Sequence, residues 1–434
     1  MFLHFGVNTF TNREWGTGEE NPNIFNPVRL DARQWARVAR EAGFTTLILT
    51  AKHHDGFALW PSAYTDHSVA SSPWRDGTGD VVRDVSEAAR SEGLKLGLYL
   101  SPWDRHEPVY GNEEAYNTYY LGQLRELMTG YGAIREVWFD GAKGEGAKNM
   151  EYDFDAFWSL VRQLQPGAVM FSDAGPDVRW IGNEHGFAGE TNWSTYDRTK
   201  VGVGMPGITE YLNVGEMGAP DWVPGECDVS LRPGWFFHPD QQPKTLDELM
   251  EIYYRSVGRN CVLLLNVPPG PDGLFSRTDV ERLLEFGRTI RSIYRENLAS
   301  GSSASASSKR DDGAAYGAGS ALDGSLETYW APVEGDLAGT LEFELDSDKA
   351  FDVVMIQEPI QLGQRISSYR VDAFVGASWE TIARGTTVGH KKLDRLDHPV
   401  TTSRVRLVVE TALADPLVAE FGLFRDPRET PDGK

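Results

Sequence analysis

At 434 residues the chain has room for two or three domains, and a barrel of about 250 residues with a smaller companion fits the usual domain sizes best. Its 42 basic residues stand against 64 acidic ones, and the net charge of −22 repels nucleic acid and anionic membrane surfaces. The two cysteines, Cys227 and Cys261, give neither a disulfide framework nor zinc-type spacing, and no run of about 18 apolar residues is available to cross a bilayer.

The N-terminus, Met1-Phe2-Leu3-His4-Phe5-Gly6, lacks the basic and long apolar parts of a secretion signal, so a cytoplasmic location is expected. It starts directly as a strand, which implies that residues closing the bottom of the domain precede Met1. Residues 2–10 read as the first strand, followed by a polar and aromatic loop around Glu14 and Trp15. Asp31 opens a helix with Gln34 as its capping-box partner, and Gly43 stops it. Residues 45–51 form a second buried strand, which ends on Lys52-His53-His54-Asp55-Gly56-Phe57. A helix over 81–92 leads to a third strand, 94–100, and Asn112 caps a long helix that runs to Gly130. The fourth strand, Ile134-Arg135-Glu136-Val137-Trp138-Phe139, stops on Asp140-Gly141. This alternation, with polar residues at four successive strand ends, favours a (β/α)8-like barrel over a doubly wound sheet. In such a barrel the strand ends form the working mouth, where Asp140 is available as nucleophile, base or metal ligand. The alternative for Asp140 alone is a turn residue that caps the next helix.

The second half is less regular. A helix near 155–164 and a fifth strand, 169–172, precede two long irregular stretches, Arg179-Trp180-Ile181-Gly182-Asn183-Glu184-His185-Gly186 and the segment 221–235. Long structureless insertions in a compact domain are usually functional. Thr245 with Glu248 opens a helix to 257, residues 261–267 are the last barrel strand, and 276–297 the closing helix, so the barrel is expected over 1–297. From 298 to 428 short alternating runs at 341–345, 353–357, 369–375 and 405–409 indicate an antiparallel β-sandwich. Gly301-Ser302-Ser303-Ala304-Ser305 reads as its small-residue first strand, and 429–434 as a tail.

No phosphate loop, dinucleotide fingerprint or nucleophile elbow occurs. His53 and His54 are adjacent, and neighbours on a strand face opposite ways, so the pair suits hydroxyl recognition better than chelation of one ion. One of the two is free to pack against the barrel instead. The 13 Trp, 16 Tyr and 20 Phe, many beside His, Asp or Glu, combine flat apolar faces with short polar groups, as a pyranose site requires. Core packing accounts for most of them.

The set His4-Phe5-Gly6, Glu14-Trp15, His53-His54-Asp55-Gly56-Phe57, Trp138-Phe139-Asp140-Gly141 and Asn266-Val267-Pro268-Pro269-Gly270-Pro271-Asp272-Gly273, in that order over residues 1–297, resembles the α-L-fucosidases of glycoside hydrolase family 29. The part after it, with Leu322-Asp323-Gly324-Ser325 and Thr328-Tyr329-Trp330, is similar to the galactose-binding-like modules of discoidin or coagulation-factor type. The resemblance implies a retaining, exo-acting hydrolase without metal or cofactor that releases terminal fucose from fucosylated oligosaccharides or glycoconjugates. Two carboxyl groups about 5–5.5 Å apart carry such a reaction. The resemblance makes Asp140 the nucleophile. The stretch from Arg179 to Gly186 resembles the subgroup selective for α-1,3 and α-1,4 linkages of Lewis-type glycans, which makes Glu184 the acid/base, with Glu226 as rival. Around the sugar it places His4, Glu14, Trp15, His53, His54 and Tyr99 at the hydroxyls, Trp138 at the apolar face and C6 methyl, and Trp235 beside it. Arg179 and Asp228 read as structural. Between 192 and 222, Trp193, Tyr196, Asp197, Arg198, Tyr211 and Trp222 are expected to form a second subsite for a neighbouring galactose. Two rival readings are a broad-specificity α-L-fucosidase acting on α-1,2 or aryl fucosides, and a non-catalytic fucose-binding lectin. The presence of both Asp140 and Glu184 weighs against the lectin.

Overall fold

The computed structural model describes residues 1–144, 146–311 and 315–428, so the tail expected at 429–434 lies outside the described residues. Most outer helices are set by the residue in front of them. Asp31, Asp80, Asn112, Asp153, Thr245 and Ser276 accept hydrogen bonds from the first-turn amides of α2 (Ala32–Ala42), α3 (Val81–Ser91), α4 (Glu113–Gly130), α5 (Phe154–Leu164), α7 (Leu246–Arg255) and α8 (Arg277–Ile293). Two shorter helices, α1 (Val7–Thr11) and α6 (Thr209–Val214), lie in connections at the mouth end and have no side-chain cap.

Eight parallel strands close the barrel: β1 (Phe2–Leu3), β2 (Thr46–Lys52), β3 (Lys95–Leu100), β4 (Ile134–Trp138), β5 (Val169–Ser172), β6 (Val178–Trp180), β9 (Gly225–Ser230) and β10 (Cys261–Asn266). β10 pairs with β1 through Phe2 and Asn266, which completes the ring. Between β6 and β9, strands β7 (Thr195–Tyr196) and β8 (Asp221–Trp222) make a separate antiparallel hairpin. Inside the ring Phe2, Ile48, Tyr99, Trp138, Phe171 and Leu264 fill the bore and give the mouth an apolar floor.

Three sequence expectations change here. The first strand ends at Leu3 rather than near 10, because Val7, Phe10 and their neighbours turn into α1, where Phe10 packs on Phe5 and Phe25. Phe10 there serves a local aromatic cluster and not a sheet. The stretches expected to be irregular around Arg179 and Glu226 contain two barrel strands, β6 and β9. Their sequences, Val-Arg-Trp and Gly-Glu-Cys-Asp-Val-Ser, have no apolar run, since Arg179, Glu226 and Asp228 occupy positions that ordinary barrel strands fill with Val or Leu.

The second unit is a sheet of β11 (Ser303–Ala306), β12 (Gly339–Gln357), β13 (Ile366–Val375), β14 (Ser378–Gly385), β15 (Lys392–Ala412) and β16 (Glu420–Phe424), all antiparallel. The small-residue strand expected in the 300s is β11. The runs expected at 341–345 and 353–357 are one strand, β12, which bends where its register against β15 shifts after Glu344 and again after Phe351. Such irregularities let one strand turn the corner between two layers of a sandwich. Trp330, Phe343, Tyr369 and Phe421 are among the buried side chains of its own core.

The sandwich also completes the barrel. Val353, Met355, Leu393 and Phe424 belong to the same buried apolar cluster as the barrel helices. Asn297, just beyond α8, donates from Nδ2 to Phe421 O at 2.9 Å and accepts the Leu423 amide at 3.0 Å. A barrel cut off at this point would expose that apolar patch. Leu393→Ala should therefore lower the stability of the barrel by about 2–4 kcal/mol, as a buried Leu truncation does. The check is an unfolding curve followed by tryptophan fluorescence, since 11 of the 13 Trp residues precede Asn297 and the other two, Trp330 and Trp379, lie in the sandwich.

Candidate active site

A cavity of about 190 Å³ opens at the carboxyl ends of the barrel strands. Drug-sized ligand pockets begin at about 300 Å³, so this one suits a single small ring. Eight of the residues singled out from sequence line it: His4, Trp15, His53, His54, Trp138, Asp140, Glu184 and Trp235.

The three imidazoles are buried, and burial holds each below the ordinary histidine range: His4 and His54 at about 3, His53 well below 6.5. All three are neutral at physiological pH. His4 Nδ1 lies 2.9 Å from Asn266 Oδ1, an acceptor, so this nitrogen carries the proton. His54 Nδ1 lies 2.7 Å from Ser101 Oγ, whose own proton goes to Trp103 O at 2.6 Å, so Nδ1 is again the donor. Both rings therefore keep an Nε2 lone pair, the right partner for a donating hydroxyl. The alternative, in which one histidine of the pair packs against the barrel, does not hold. β2 ends at Lys52, the strand alternation ends with it, and both rings reach the cavity with centroids 4.1 Å apart.

Asp140 follows β4. Its Oδ2 accepts from Tyr99 Oη at 3.0 Å and its Oδ1 from the Ala142 amide at 2.7 Å, while His54 Nε2 stands 3.7 Å from Oδ2. Burial raises its pKa above the ordinary 3.8, and the two hydrogen bonds oppose that rise. Glu184 accepts one long bond, 3.3 Å from Trp235 Nε1, and burial followed by the charge of Asp140 raises its pKa as well.

Tyr99 and Glu14 do not line the cavity. Tyr99 is buried beneath it and holds Asp140. Glu14 accepts the Trp235 amide at 2.7 Å through Oε2 and pairs with His238 through Oε1, so it fixes the loop that presents Trp235. Glu226 is also absent from the lining. It is buried on β9, takes the Trp138 indole N–H at 2.9 Å, and is pushed well above the carboxylate range by burial and by Glu136 beside it. A group sealed beneath the floor has no path to a departing sugar oxygen.

Sequence reasoning missed five lining residues and undervalued Asp228. Phe2, Ala142, Phe171 and Asp173 had no motif to mark them, and Trp180 stood in the stretch around Glu184 without a role of its own. Phe171 stacks on Trp138 with centroids 4.1 Å apart. Asp228 accepts Trp180 Nε1 at 2.8 Å, and burial, then Glu184, raises its pKa well above 3.8. Asp173 accepts the Gly204 amide at 2.9 Å, and a Cβ on Gly141 would collide with its carboxylate, which is why glycine follows Asp140. The aromatic residues expected to build a second subsite do not line the cavity either. Trp193 and Tyr196 are buried, and Tyr211 donates to Glu216 at 2.5 Å.

Among the described residues no group of three or more His, Cys, Asp or Glu side chains is arranged to hold a metal ion, and no helix is long and apolar enough to cross a membrane. Comparison with known proteins agrees with the geometry. The family model described as "Alpha-L-fucosidase" matches residues 1–292, and the "F5/8 type C domain" matches 303–421. The chain belongs to the α-L-fucosidases of glycoside hydrolase family 29. It is 52% identical to "Alpha-L-fucosidase 1" of Arabidopsis thaliana over 98% of this chain and 85% of that one. A putative α-L-fucosidase of Bacteroides thetaiotaomicron superposes with a TM-score of 0.92 at 40% identity, covering 98% and 94% of the two chains. A Ruminococcus gnavus family 29 fucosidase solved in complex with fucose gives 0.91 at 36% identity, covering 98% and 92%. Hydrolysis by this family retains the anomeric configuration, and the fucosidase thus works by double displacement.

The raised carboxyls give the fucosidase a pH signature. Burial, then Asp140, lifts Asp173 from 3.8 to about 6. The folded state holds this proton more tightly than the unfolded chain, so the contribution to stability is complete below pH 3.8 and is lost as the pH rises through about 6. Asp173→Asn keeps an acceptor for Gly204 and removes the loss. Unfolding midpoints measured against pH should coincide with the parent in the acid range and exceed it increasingly up to neutrality.

Proposed function

We propose that Asp140 is the nucleophile and Glu184 the general acid/base of an exo-acting fucosidase, and that its substrates are α-1,3- and α-1,4-linked terminal fucoses of Lewis-type glycans. The observation that carries the roles is the asymmetry between two carboxyls that line one small cavity. Asp140 accepts two good hydrogen bonds, both of which favour its ionised form. Among the described residues Glu184 accepts only the long bond from Trp235, and it feels the charge of Asp140, which favours its protonated form. Environments that push two acids apart in this way define a nucleophile and a proton donor. The neutral imidazoles of His4, His53 and His54 receive the fucose hydroxyls, and Trp138 and Trp235 cover its apolar surface.

In the first step Asp140 attacks the anomeric carbon while Glu184 protonates the departing oxygen, leaving a fucosyl ester. In the second, Glu184 takes a proton from water, and the water displaces Asp140. The dependence of kcat/KM on pH is then bell-shaped, the acid limb requiring ionised Asp140 and the basic limb protonated Glu184. Both limbs are displaced upward by burial.

Asp140→Ala should reduce turnover by several orders of magnitude with the fold intact, and added azide should restore part of it as β-fucosyl azide. Glu184→Ala should slow natural sugars by roughly 10²–10⁴-fold, the usual worth of general acid catalysis, but aryl fucosides with good leaving groups far less. A parent-like Asp140→Ala enzyme, or a Glu184→Ala enzyme indifferent to the leaving group, contradicts the roles.

The linkage preference rests on the pattern from Arg179 to Gly186 around Glu184. The broad-specificity reading is favoured by one observation, that Trp193, Tyr196 and Tyr211 are committed to packing and internal hydrogen bonds. Product chromatography on fucosylated oligosaccharides of defined linkage decides between them. Lewis a and Lewis x trisaccharides are expected to be cleaved well ahead of 2′-fucosyllactose, and equal rates would transfer the assignment to the broad reading.

A further inference from the structure

Glu184 differs from the other residues at the mouth in its support. Asp140, His53 and His54 follow barrel strands closely, whereas Glu184 lies in the loop over 181–194 between β6 and β7. Upstream, Arg179 on β6 is fully buried and donates through Nη2 to Asn192 Oδ1 at 3.0 Å and to Trp193 O at 2.8 Å, and so joins the two ends into a neck. The body of the loop is tied to the barrel. Asn213 donates to Ile181 O at 2.9 Å and to Phe187 O at 3.1 Å, and Asn183 turns the chain around Glu184 by accepting the His185 amide at 3.1 Å.

The downstream side of the neck is held from the sandwich. The Asn192 amide donates to Thr387 Oγ1 at 2.9 Å, Gln364 Nε2 donates to Asn192 O at 2.9 Å, and the Ser194 amide donates to Gln364 Oε1 at 2.8 Å. The hydroxyls of Thr191 and Thr386 meet at 2.8 Å. Gln364 and Thr387 are both buried, so these bonds are shielded from competing water, and removing either partner leaves buried backbone groups of the neck unpaired. A loop relieves such a deficit by moving.

We propose that Gln364 and Thr387 of the sandwich are positioning residues for the acid/base step: by holding the neck of the loop they aim Glu184 at the leaving oxygen. This rests on the reading of Glu184 as acid/base. Its carboxyl takes only the 3.3 Å bond from Trp235 among the described residues, which is too weak a tether to fix its place once the loop shifts. Asp140 is held within the barrel by Tyr99 and Ala142, and does not depend on the neck. Loosening the neck therefore impairs proton donation and spares nucleophilic attack.

Full-length Thr387→Val, which keeps the side-chain volume and deletes the acceptor for Asn192, and full-length Gln364→Ala are to be assayed on aryl α-L-fucosides whose leaving phenols span a range of acidity. For the poorest leaving group kcat/KM should fall about tenfold, and for the best stay within about twofold, because only the former needs a well-placed acid. Thr387→Ser should restore the parent dependence on leaving group. Asn297→Ala, which cuts a barrel–sandwich tie remote from the loop, should lower the unfolding midpoint and leave that dependence unchanged. A uniform loss over all leaving groups in both neck variants, or no loss, overturns the proposal. Should Gln364→Ala fail to fold, Thr387→Val decides alone. Glu184→Ala, measured alongside, separates the two claims: without leaving-group contrast there, the acid/base reading fails; with contrast there and none in the neck variants, only the positioning role fails.

Discussion

Asn266, fully buried at the end of β10, commits its whole amide to two stretches far apart in sequence, His4 and residues 230–235. Its oxygen accepts the backbone amide of His4 at 3.1 Å and the ring Nδ1 at 2.9 Å, and its nitrogen donates at 2.8 Å to both Ser230 Oγ and Trp235 O. The first pair of bonds fixes the tautomer of His4 where β1 meets β10, and the second fixes the loop whose indole reaches Glu184. One side chain thus couples closure of the ring to the geometry of the sugar site. Glu14 reinforces it from the other side, binding the Trp235 amide. An amide is suited to this work because it donates and accepts at once without carrying a charge into the dry interior, where an unpaired charge is costly.

The charge pattern around the cavity follows from the same dryness. Asp140, Asp173, Glu184 and Asp228 line it with no Lys or Arg among the lining residues, and burial is the first cause of the raised pKa in each. The buried Lys52, which could have compensated them, is instead paired at 2.7 Å with Asp104 behind the site. A cluster of acids without cations is an unfavourable ground state for an anion and a favourable one for developing positive charge. Cleavage of a glycosidic bond passes through an oxocarbenium-like transition state, so the field of these carboxyls already has the sign that the reaction requires. Neutral imidazoles fit this arrangement, since they bind hydroxyls without cancelling that field.

What the sequence could reveal tracked how regular each segment is. The ends of β2, β3 and β4, with His53, His54 and Asp140 beyond them, were legible because an apolar run that stops on polar groups is the mark of a buried parallel strand. β6 and β9 were not, because they put Arg179, Glu226 and Asp228 inside the barrel and so lack that mark. The missed strands explain the misplacement of Glu226, which was taken for a loop residue and is sealed beneath Trp138. Asp173 carried no signal beyond a strand end, and its place in the lining depends on a contact with Gly141 that only the closed ring creates. Glu14 and Tyr99 were near the right place with the wrong task, since sequence order locates a residue at the mouth but not which way its hydrogen bonds run.

The unequal legibility of the two proposed catalytic carboxyls has a physical basis. A nucleophile must meet the anomeric carbon of a ring seated in the cavity that His4, His53 and His54 line, so its position is fixed relative to the barrel and a strand end is the natural support. The acid has to reach only the departing oxygen, which lies outside the ring and can be approached from any loop over the mouth. A loop is free to vary in sequence, but it lacks the rigidity that proton transfer demands. Here that rigidity comes from two sides, from Arg179 on β6 of the barrel and from the sandwich side chains Gln364 and Thr387 at the neck. An appended domain that covers an apolar barrel face thereby also stiffens the loop that carries Glu184.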